Sequence, residues 1–428
     1  MKFIGPNISI QQNGKLLPCI VIFLMLIFTG RDIGGMGINP YLTTLLICCG
    51  AIMLPYSYLV SYAAFMLPLS CGIQSFSWIA ILGCLLYRGK KVSTATIIMF
   101  FIVFLMELIG ILQYDSNNMI VKNIVFYFVS FFLVIYLTMN NNENVDNNRN
   151  IRYFIYGTSF LFAMIFGRNI LTLGIDEIFV GALRYSMDDK SLKDAYVFFT
   201  NANNLGLYSS VCFATLLLGA KRLEMPTICY IVSMILIICG GAFSLSRTWL
   251  ITSVLALIFF LFFSPKNKTY ISVVIVCGIL ALVAFNMALL DPLYEMFNER
   301  LSGDDIKTGA GRTDLFAAYN TFFFTHPQYW LTGTGSVHYL GVCNQQNSMH
   351  NMLQQIYVCY GLIGAITFFT FFFNIYKSNK KYVKLFMQYL PLIIYLIFSQ
   401  TVQIVNPIYC IYPLVLTVFC MQMYKNES

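Results

Sequence analysis

The chain is organised around residues 291–351, which read DPLYEMFNERLSGDDIKTGAGRTDLFAAYNTFFFTHPQYWLTGTGSVHYLGVCNQQNSMHN. This is the longest stretch without the character of a membrane segment, and it lies between two strongly apolar runs. Charged residues are sparse elsewhere but crowd together from Glu295 to Asp314. All three histidines of the chain lie in the same stretch, namely His326, His338 and His350. We therefore expect the chemistry of the protein to be carried here, on a scaffold made by the rest of the chain.

Composition separates this chain from soluble proteins. Hydrophobic residues make up 58% and charged residues 10% of the sequence, whereas a soluble domain carries about 25% charged residues. The region 41–88 is apolar but interrupted by Pro55 and Pro68, so its division into helices stays open. Because a span needs about 20 residues, we predict an all-α integral membrane protein with about 12 transmembrane helices, within a range of about 11 to 14. The other apolar runs lie roughly at residues 16–30, 94–113, 121–139, 151–171, 203–220, 228–245, 249–263, 270–290, 350–374, 385–402 and 406–424.

The basic residues predict the orientation. Neighbouring lysine and arginine clusters are separated by two apolar runs each, so all of them can lie on one face, which the positive-inside rule makes cytoplasmic. The clusters are Arg88 with Lys90 and Lys91, Arg149 with Arg152, Lys221 with Arg222, Lys266 with Lys268, and Lys377 with Lys380, Lys381 and Lys384. The alternation places both termini in the cytoplasm and the loops 173–203, 244–247 and 291–349 on the outer face. It divides the chain into a transmembrane bundle at 1–290, an external loop at 291–349 and C-terminal transmembrane helices at 350–428.

Several function classes receive no support from composition or motifs. The formal net charge of +8 comes from short clusters between apolar runs, which set membrane orientation and do not indicate nucleic-acid binding. The thirteen cysteines form no CxxC pair and read as small buried hydrophobes. No DxD motif, acidic metal cluster or HExxH motif is present, so we expect no metal site and no cofactor.

Two arginines on the predicted outer face are candidates for binding an anion. Arg247 lies in FSLSRTWL between two apolar runs, and Arg312 lies in GAGRTDL at the start of a predicted loop helix. A guanidinium offers a rigid fork of donors that matches phosphate oxygens. The alternative for Arg247 is an interfacial anchor, and for Arg312 it is an ion pair with Asp304, Asp305 or Asp314.

His350 and Asn351 open a predicted span. Gln354 and Tyr357 follow at helical spacing, so the outer end of this helix carries a polar face. Histidine has the pKa for general-base work at neutral pH, although a histidine at a span end is often only interfacial. His326 and His338 lack such a setting and are assigned to the surface.

Further polar residues of the outer face are weaker candidates for substrate binding. Asn203 lies in NANNLG at the start of a span, where its alternative is a helix cap. Arg168 and Arg184 would suit an anionic glycan but are equally consistent with solvated side chains. Glu299 is an alternative general base.

Within the long loop, helical apolar spacing predicts two short amphipathic helices, at Leu293 to Leu301 and at Arg312 to Phe324, lying along the membrane surface. Gly333-Thr334-Gly335 is too short for a phosphate-binding loop and reads as a turn that redirects the chain.

Five motifs in order give the second half of the chain a family resemblance. They are NANNLG at 201–206, SLSRT at 244–248, NERLSGDDIKTGAGRTDLFAAY at 298–319, LTGTGS at 331–336 and HNMLQQIYVCYGLIG at 350–364. In this order and spacing they resemble the O-antigen ligase and O-antigen polymerase superfamily of bacterial membrane proteins. The first half matches only as hydrophobic spans.

The resemblance implies transfer of a glycan from undecaprenyl diphosphate to an acceptor, at the outer face of the cytoplasmic inner membrane. It implies that Arg247 and Arg312 bind the diphosphate and that His350 assists the acceptor hydroxyl, in a metal-independent transfer. Asn203 and Asn351 would orient the sugar or neighbouring side chains. The implied partners are the lipid-linked oligosaccharide and membrane lipids, with a chain-length regulator as a further candidate.

Three alternatives differ in function. We favour a polymerase, which extends O-antigen or capsule chains on a lipid-linked acceptor, over a ligase, which transfers the chain to lipid A core or another surface acceptor. A transporter of lipid-linked oligosaccharide would need charged residues deep within spans, where this chain has Glu107 and little else. A purely structural membrane component would make no use of the arginines.

Overall fold

The computed structural model describes residues 10–69, 72–89, 92–112, 119–139, 145–174, 201–263, 295, 312–337, 339–402 and 408–425. Every regular element in these residues is a helix, which confirms the all-α prediction for them. We number the α-helices in chain order. They are α1 Ile10–Asp32, α2 Pro40–Met53, α3 Tyr56–Met66, α4 Ser77–Arg88, α5 Thr94–Leu112, α6 Met119–Met139, α7 Asn147–Leu173, α8 Ala202–Leu216, α9 Thr227–Phe243, α10 Arg247–Phe263, α11 Arg312–Thr325, α12 Tyr339–Val342, α13 Met352–Asn379, α14 Leu390–Phe398 and α15 Tyr412–Met421.

Two of these helices are long and apolar enough to cross a membrane, at Asn147–Leu171 and Met352–Tyr382. Other apolar helices are shorter, and α9 and α10 have 17 residues each. At 1.5 Å per residue such a helix is about 26 Å long, near the lower limit of about 17 residues for a span. The number of about 12 transmembrane helices therefore stays a prediction.

The region 41–88 contains the three α-helices α2, α3 and α4. Pro55 lies between α2 and α3, and Pro68 lies between α3 and α4. Asn39 caps α2 by accepting from the Tyr41 amide, and Pro40 occupies the first turn, where a missing N–H costs nothing. At the other end of α2, Arg88 of α4 donates to the Ala51 and Leu54 carbonyls. Asn39 and Arg88 thus provide partners for backbone groups at the two ends of α2, which the helix itself leaves unbonded.

Helix α8 lies at the centre of the bundle, since nearly all of its residues are buried. Small polar side chains join it to its neighbours, as membrane helices commonly do. Ser210 and Thr252 of α10 share a hydrogen bond of 2.9 Å. Ser209 donates to the Ile237 carbonyl of α9 at 2.6 Å and accepts from the Trp249 indole at 2.8 Å. These bonds hold the first turn of α10, and with it Arg247, against α8.

Residues 312–349 form a hairpin that packs beside α13, and we call this segment the external hairpin. Helix α11 is its descending half and runs in the same direction as α13. Gln354 bonds to the Phe316 carbonyl and to Asn320, and further along Leu362 bonds to the Trp330 carbonyl. The predicted helix Arg312 to Phe324 is confirmed as a helix. It packs alongside α13, whereas its predicted position along the membrane surface stays a prediction. Of the predicted helix Leu293 to Leu301, only Glu295 is among the described residues, so this helix stays a prediction.

Candidate functional site

The site begins with the cap of α13. Asn351 is the N-cap residue, and its side-chain oxygen accepts from the Gln354 amide at 3.0 Å. Its side-chain nitrogen donates to the Gln400 carbonyl at 3.2 Å, which joins the start of α13 to the segment that follows α14. His350 directly precedes this cap. An asparagine is well suited to both bonds because its amide accepts and donates at once.

Helix α11 places Arg312 beside the start of α13. Arg312 is its first residue, and the helix is held against α13 by the bonds from Gln354, at 2.8 Å to the Phe316 carbonyl and 3.2 Å to Asn320. The Tyr357 hydroxyl also donates to Asn320. The two helices run in parallel, so their N-terminal residues lie side by side.

A cavity of about 240 Å³ opens between these helix ends. Among the described residues that line it, Arg312 and His350 are the charged or titratable ones, and none carries a carboxylate. The wall is completed by Thr313, Leu315, Phe316, Asn351, Gln354, Gln400 and Thr401. The Arg312 guanidinium, beside side-chain amides and threonine hydroxyls, suits the binding of an anion or a sugar. At about 240 Å³, below the ~300–1,000 Å³ of drug-sized pockets, the cavity would take only the reacting end of a large substrate.

The electrostatics of the cavity favour an anionic ligand. Burial, together with the nearby charge of Arg247, lowers the pKa of Arg312 from its ordinary value. Burial and the positive charge of Arg312 lower the pKa of His350 to about 4. Three basic side chains thus influence one another. Removing positive charge from water beside other positive charge is unfavourable, and a bound anion would relieve this cost.

Arg312 does not make the ion pair considered as its alternative, as far as the described residues show. The ion pairs found among them join Arg31 to Asp32, at 2.6 Å, and Arg152 to Glu224, at 3.3 Å. Asp314 is close in sequence but is not an ion-pair partner of Arg312. Asp304 and Asp305 lie outside the described residues.

Arg247 starts α10 directly after a tight turn. Leu245 in this turn has a φ of 49°, and the Ser244 hydroxyl accepts from the Ser246 amide at 3.3 Å. The predicted turn at 244–247 is therefore present. The charge of Arg247 acts on Arg312, although Arg247 is not among the residues that line the cavity.

Two other predicted site residues lie elsewhere. Asn203 is in the first turn of α8, where Asn201 provides the cap by accepting from the Asn203 and Asn204 amides. Arg168 of α7 donates to the Asp32 carbonyl at 3.3 Å and does not line the cavity. Arg184, Glu299 and His338 lie outside the described residues, so their predicted roles stay predictions.

Gln400 and Thr401 line the cavity but were not predicted from the sequence. They lie in SQT at the end of an apolar run, which is a weak signal. Only the packing of the 3-10 turn Ser399–Thr401, which follows α14, against α13 brings them beside Asn351. His326 lies apart from the cavity, where its ring stacks on Phe322 at a centroid distance of 4.3 Å.

Comparison with known families gave a match to part of the chain. Residues 232–369 match the family described as O-antigen ligase. The matched range includes Arg247, Arg312, His350 and the external hairpin, and it confirms the resemblance for this part of the chain. No curated protein and no solved structure matched the chain.

Proposed function

Given that residues 232–369 match the O-antigen ligase family, we propose that the protein is a multi-pass membrane glycosyltransferase. It transfers a glycan from undecaprenyl diphosphate to an acceptor hydroxyl at the outer face of the bacterial inner membrane. The observation that carries the proposal is the cavity in which Arg312 and His350 meet, with the charge of Arg247 acting on Arg312.

The arginines act on the leaving group. When the bond between the anomeric carbon and the diphosphate breaks, negative charge increases on the diphosphate oxygens. Arg312 and Arg247 stabilise that charge, as positively charged side chains positioned at a leaving group do. Because the diphosphate already activates the sugar, the reaction needs no nucleotide.

His350 acts on the acceptor. Its pKa of about 4 keeps the imidazole neutral at physiological pH, so a ring nitrogen can accept the hydroxyl proton as the new glycosidic bond forms. A base of such low pKa is weak in the empty cavity. A diphosphate bound to Arg312 offsets the positive charge that helps depress the His350 pKa, and it therefore strengthens the base when the substrate is present.

Polymerisation remains the favoured reaction, with ligation as its alternative. Both use the same donor and the same leaving group and differ only in the acceptor. The amides and the hydroxyl around the cavity, from Asn351, Gln354, Gln400 and Thr401, fit a sugar hydroxyl acceptor in either case.

The test is an in vitro transfer assay. The purified protein in liposomes is given lipid-diphosphate-linked repeat units alone, without nucleotide or added metal. A ladder of longer lipid-linked glycans that disappears in His350→Ala supports a polymerase. Product that forms only after an acceptor lipid is added indicates a ligase. Movement of the lipid-linked sugar across the bilayer without any new glycosidic bond would contradict the proposal and indicate a transporter.

A further inference from the structure

Helix α13 is broken at Gly361, and the external hairpin enters the break. Gly361 has φ 60° and ψ −159°, a backbone conformation essentially restricted to glycine. Around it the helix exchanges backbone bonds with the hairpin. The Thr334 and Gly335 amides donate to the Val358 and Cys359 carbonyls at 3.0 and 2.8 Å. The Leu362 and Ile363 amides donate to the Trp330 and Leu331 carbonyls at 2.7 and 3.1 Å.

This exchange explains how non-helical backbone is accommodated there. Gly361 lies nine residues below the start of α13, which is roughly 13 Å at 1.5 Å per residue. In the proposed membrane orientation this depth is within the lipid, where irregular backbone is tolerated only if protein buries it and supplies its hydrogen bonds. The hairpin and the broken helix supply these hydrogen bonds to each other.

Glu107 of α5 binds the tip of the hairpin, by which we mean residues 330–336. This carboxylate lies within α5 and is only 1% exposed. It accepts from the Ser336 amide at 3.0 and 3.1 Å and from the Tyr360 hydroxyl at 2.6 Å. Beside it the backbones of α5 and the hairpin are in close contact, because a Cβ on Gly110 would lie 2.7 Å from the Gly335 Cα.

The tip controls the register of the whole hairpin. The descending half carries Arg312 at its top, and the returning half leads to His350 and back into α13. Between top and tip, α11 is held to α13 by the side chains of Gln354 and Tyr357. The returning half is tied to α11 by the Tyr319 hydroxyl, which donates to the Asn347 carbonyl at 2.7 Å. If the tip moves along α13, Arg312 moves relative to His350.

We propose that Glu107 is a positioning residue, which sets the separation of Arg312 and His350 by holding the tip of the external hairpin in the break of α13. This role rests on the proposed function, because it concerns the geometry of the same cavity. The glycan transfer itself does not use this acidic side chain of α5.

The test measures the exposure of Cys343, which is buried in the returning half of the hairpin. Purified protein in detergent is treated with a maleimide, and labelling is read for each cysteine peptide by mass spectrometry. Exposed Cys229 serves as the reference for reagent, and buried Cys212 of α8 reports on unfolding of the bundle. Glu107→Gln keeps the side-chain volume but removes one acceptor and the charge. We expect it to raise Cys343 labelling about tenfold or more, with Cys212 unchanged.

A matched pair of tyrosine variants refines the test. Tyr360→Phe removes the hydroxyl that donates to Glu107. Tyr62→Phe removes an equally buried hydroxyl that donates to the Ile47 carbonyl at 3.0 Å, outside the hairpin. We expect increased Cys343 labelling only in Tyr360→Phe. The double variant of Glu107→Gln and Tyr360→Phe should be no worse than Glu107→Gln, since both act at one contact.

Two results would overturn the proposal. One is unchanged Cys343 labelling in Glu107→Gln, and the other is a parallel rise at Cys212, which would mean that Glu107 stabilises the whole bundle. The positioning role is read separately, by titrating inorganic pyrophosphate. We expect weaker binding in Glu107→Gln and unchanged binding in Tyr62→Phe, and equal binding in all variants would refute it. If the wild type makes no glycosidic bond with any acceptor, the proposed function fails while these readouts still decide the role of Glu107.

Discussion

The external hairpin and α13 differ in how they contact each other at the two ends of their shared length. At the start of α13 they leave a cavity whose described lining residues include Arg312 and His350 and no carboxylate. At the break they exchange four backbone hydrogen bonds, and the Glu107 carboxylate beside them accepts bonds from both partners. The lower contact, at the break, satisfies its buried polar groups. The upper contact, at the cavity, keeps the positive charge of Arg312 with no carboxylate among the described lining residues.

This difference separates what holds the structure from what acts on the substrate. A buried polar group without a partner costs free energy, so a chain under selection for stability alone would satisfy both contacts. Sites that bind and react are where proteins leave such groups uncompensated. Arg31, which is buried away from the cavity, shows the contrast, since it is paired with Asp32 at 2.6 Å and also bonds to Thr43.

The largest effect is expected from removing the charge of the upper contact. Arg312→Ala should lower kcat for transfer by about 10²–10³-fold, the range seen when one group that stabilises developing negative charge is removed. The matched control is Arg152→Ala, which removes an arginine paired with Glu224 at 3.3 Å on the predicted inner face. Both are measured in the liposome transfer assay. Equal losses would show that the effect is structural.

A variant that disrupts the lower contact, at the break of α13, should lower the stability of the protein. Gly361→Ala forces an unfavourable φ on alanine and places its Cβ 2.5 Å from the Leu331 backbone, so we expect a loss of about 3 kcal/mol. The measurement is the apparent Tm in detergent. Gly83→Ala is the control, because Gly83 lies in α4 and its Cβ would meet nothing within 4 Å. A similar Tm for both variants would contradict the importance of the break.

The pH dependence tests the electrostatics of the upper contact. Because the folded pKa of His350 is depressed to about 4, its neutral form is present at every higher pH. We expect kcat/KM to stay constant from about pH 7 to about pH 5 and to fall as the pH approaches 4. His326→Gln should leave this profile unchanged. An acid limb near about pH 6.5, the ordinary histidine value, would argue against a buried His350 beside Arg312.

The smallest effect is expected at the cap of α13. Asn351→Ala and Asn39→Ala each remove an asparagine N-cap, from α13 and α2, so each should cost about 1 kcal/mol of stability. Only Asn351→Ala also removes the bond to the Gln400 carbonyl in the cavity wall. We expect a further loss of transfer activity in that variant alone. Matching activities after correction for folded protein would assign Asn351 a capping role only.

The candidate site was predicted in part from local features. Arg312 and His350 lie in recognisable motifs at the ends of segments whose helical spacing is visible in the sequence, and the observed α11 differs from the predicted helix by one residue. The turn at Gly333 and Gly335 was also predicted, and both glycines have positive φ, 72° and 75°. Gln400 and Thr401 were missed because their part in the cavity depends on helix packing and not on local sequence.

The sequence alone determined the helical, membrane-type character of the chain, because apolar composition and helical spacing act over a few turns. It also located the charged loop and the basic residues that serve as candidates for the chemistry. Only the tertiary structure decided the role of Glu107, since its partner Ser336 is 229 residues away. The same holds for the break at Gly361 and for the cavity. Each depends on contacts between segments that are distant in the sequence, and no local sequence pattern predicts which segments will be in contact.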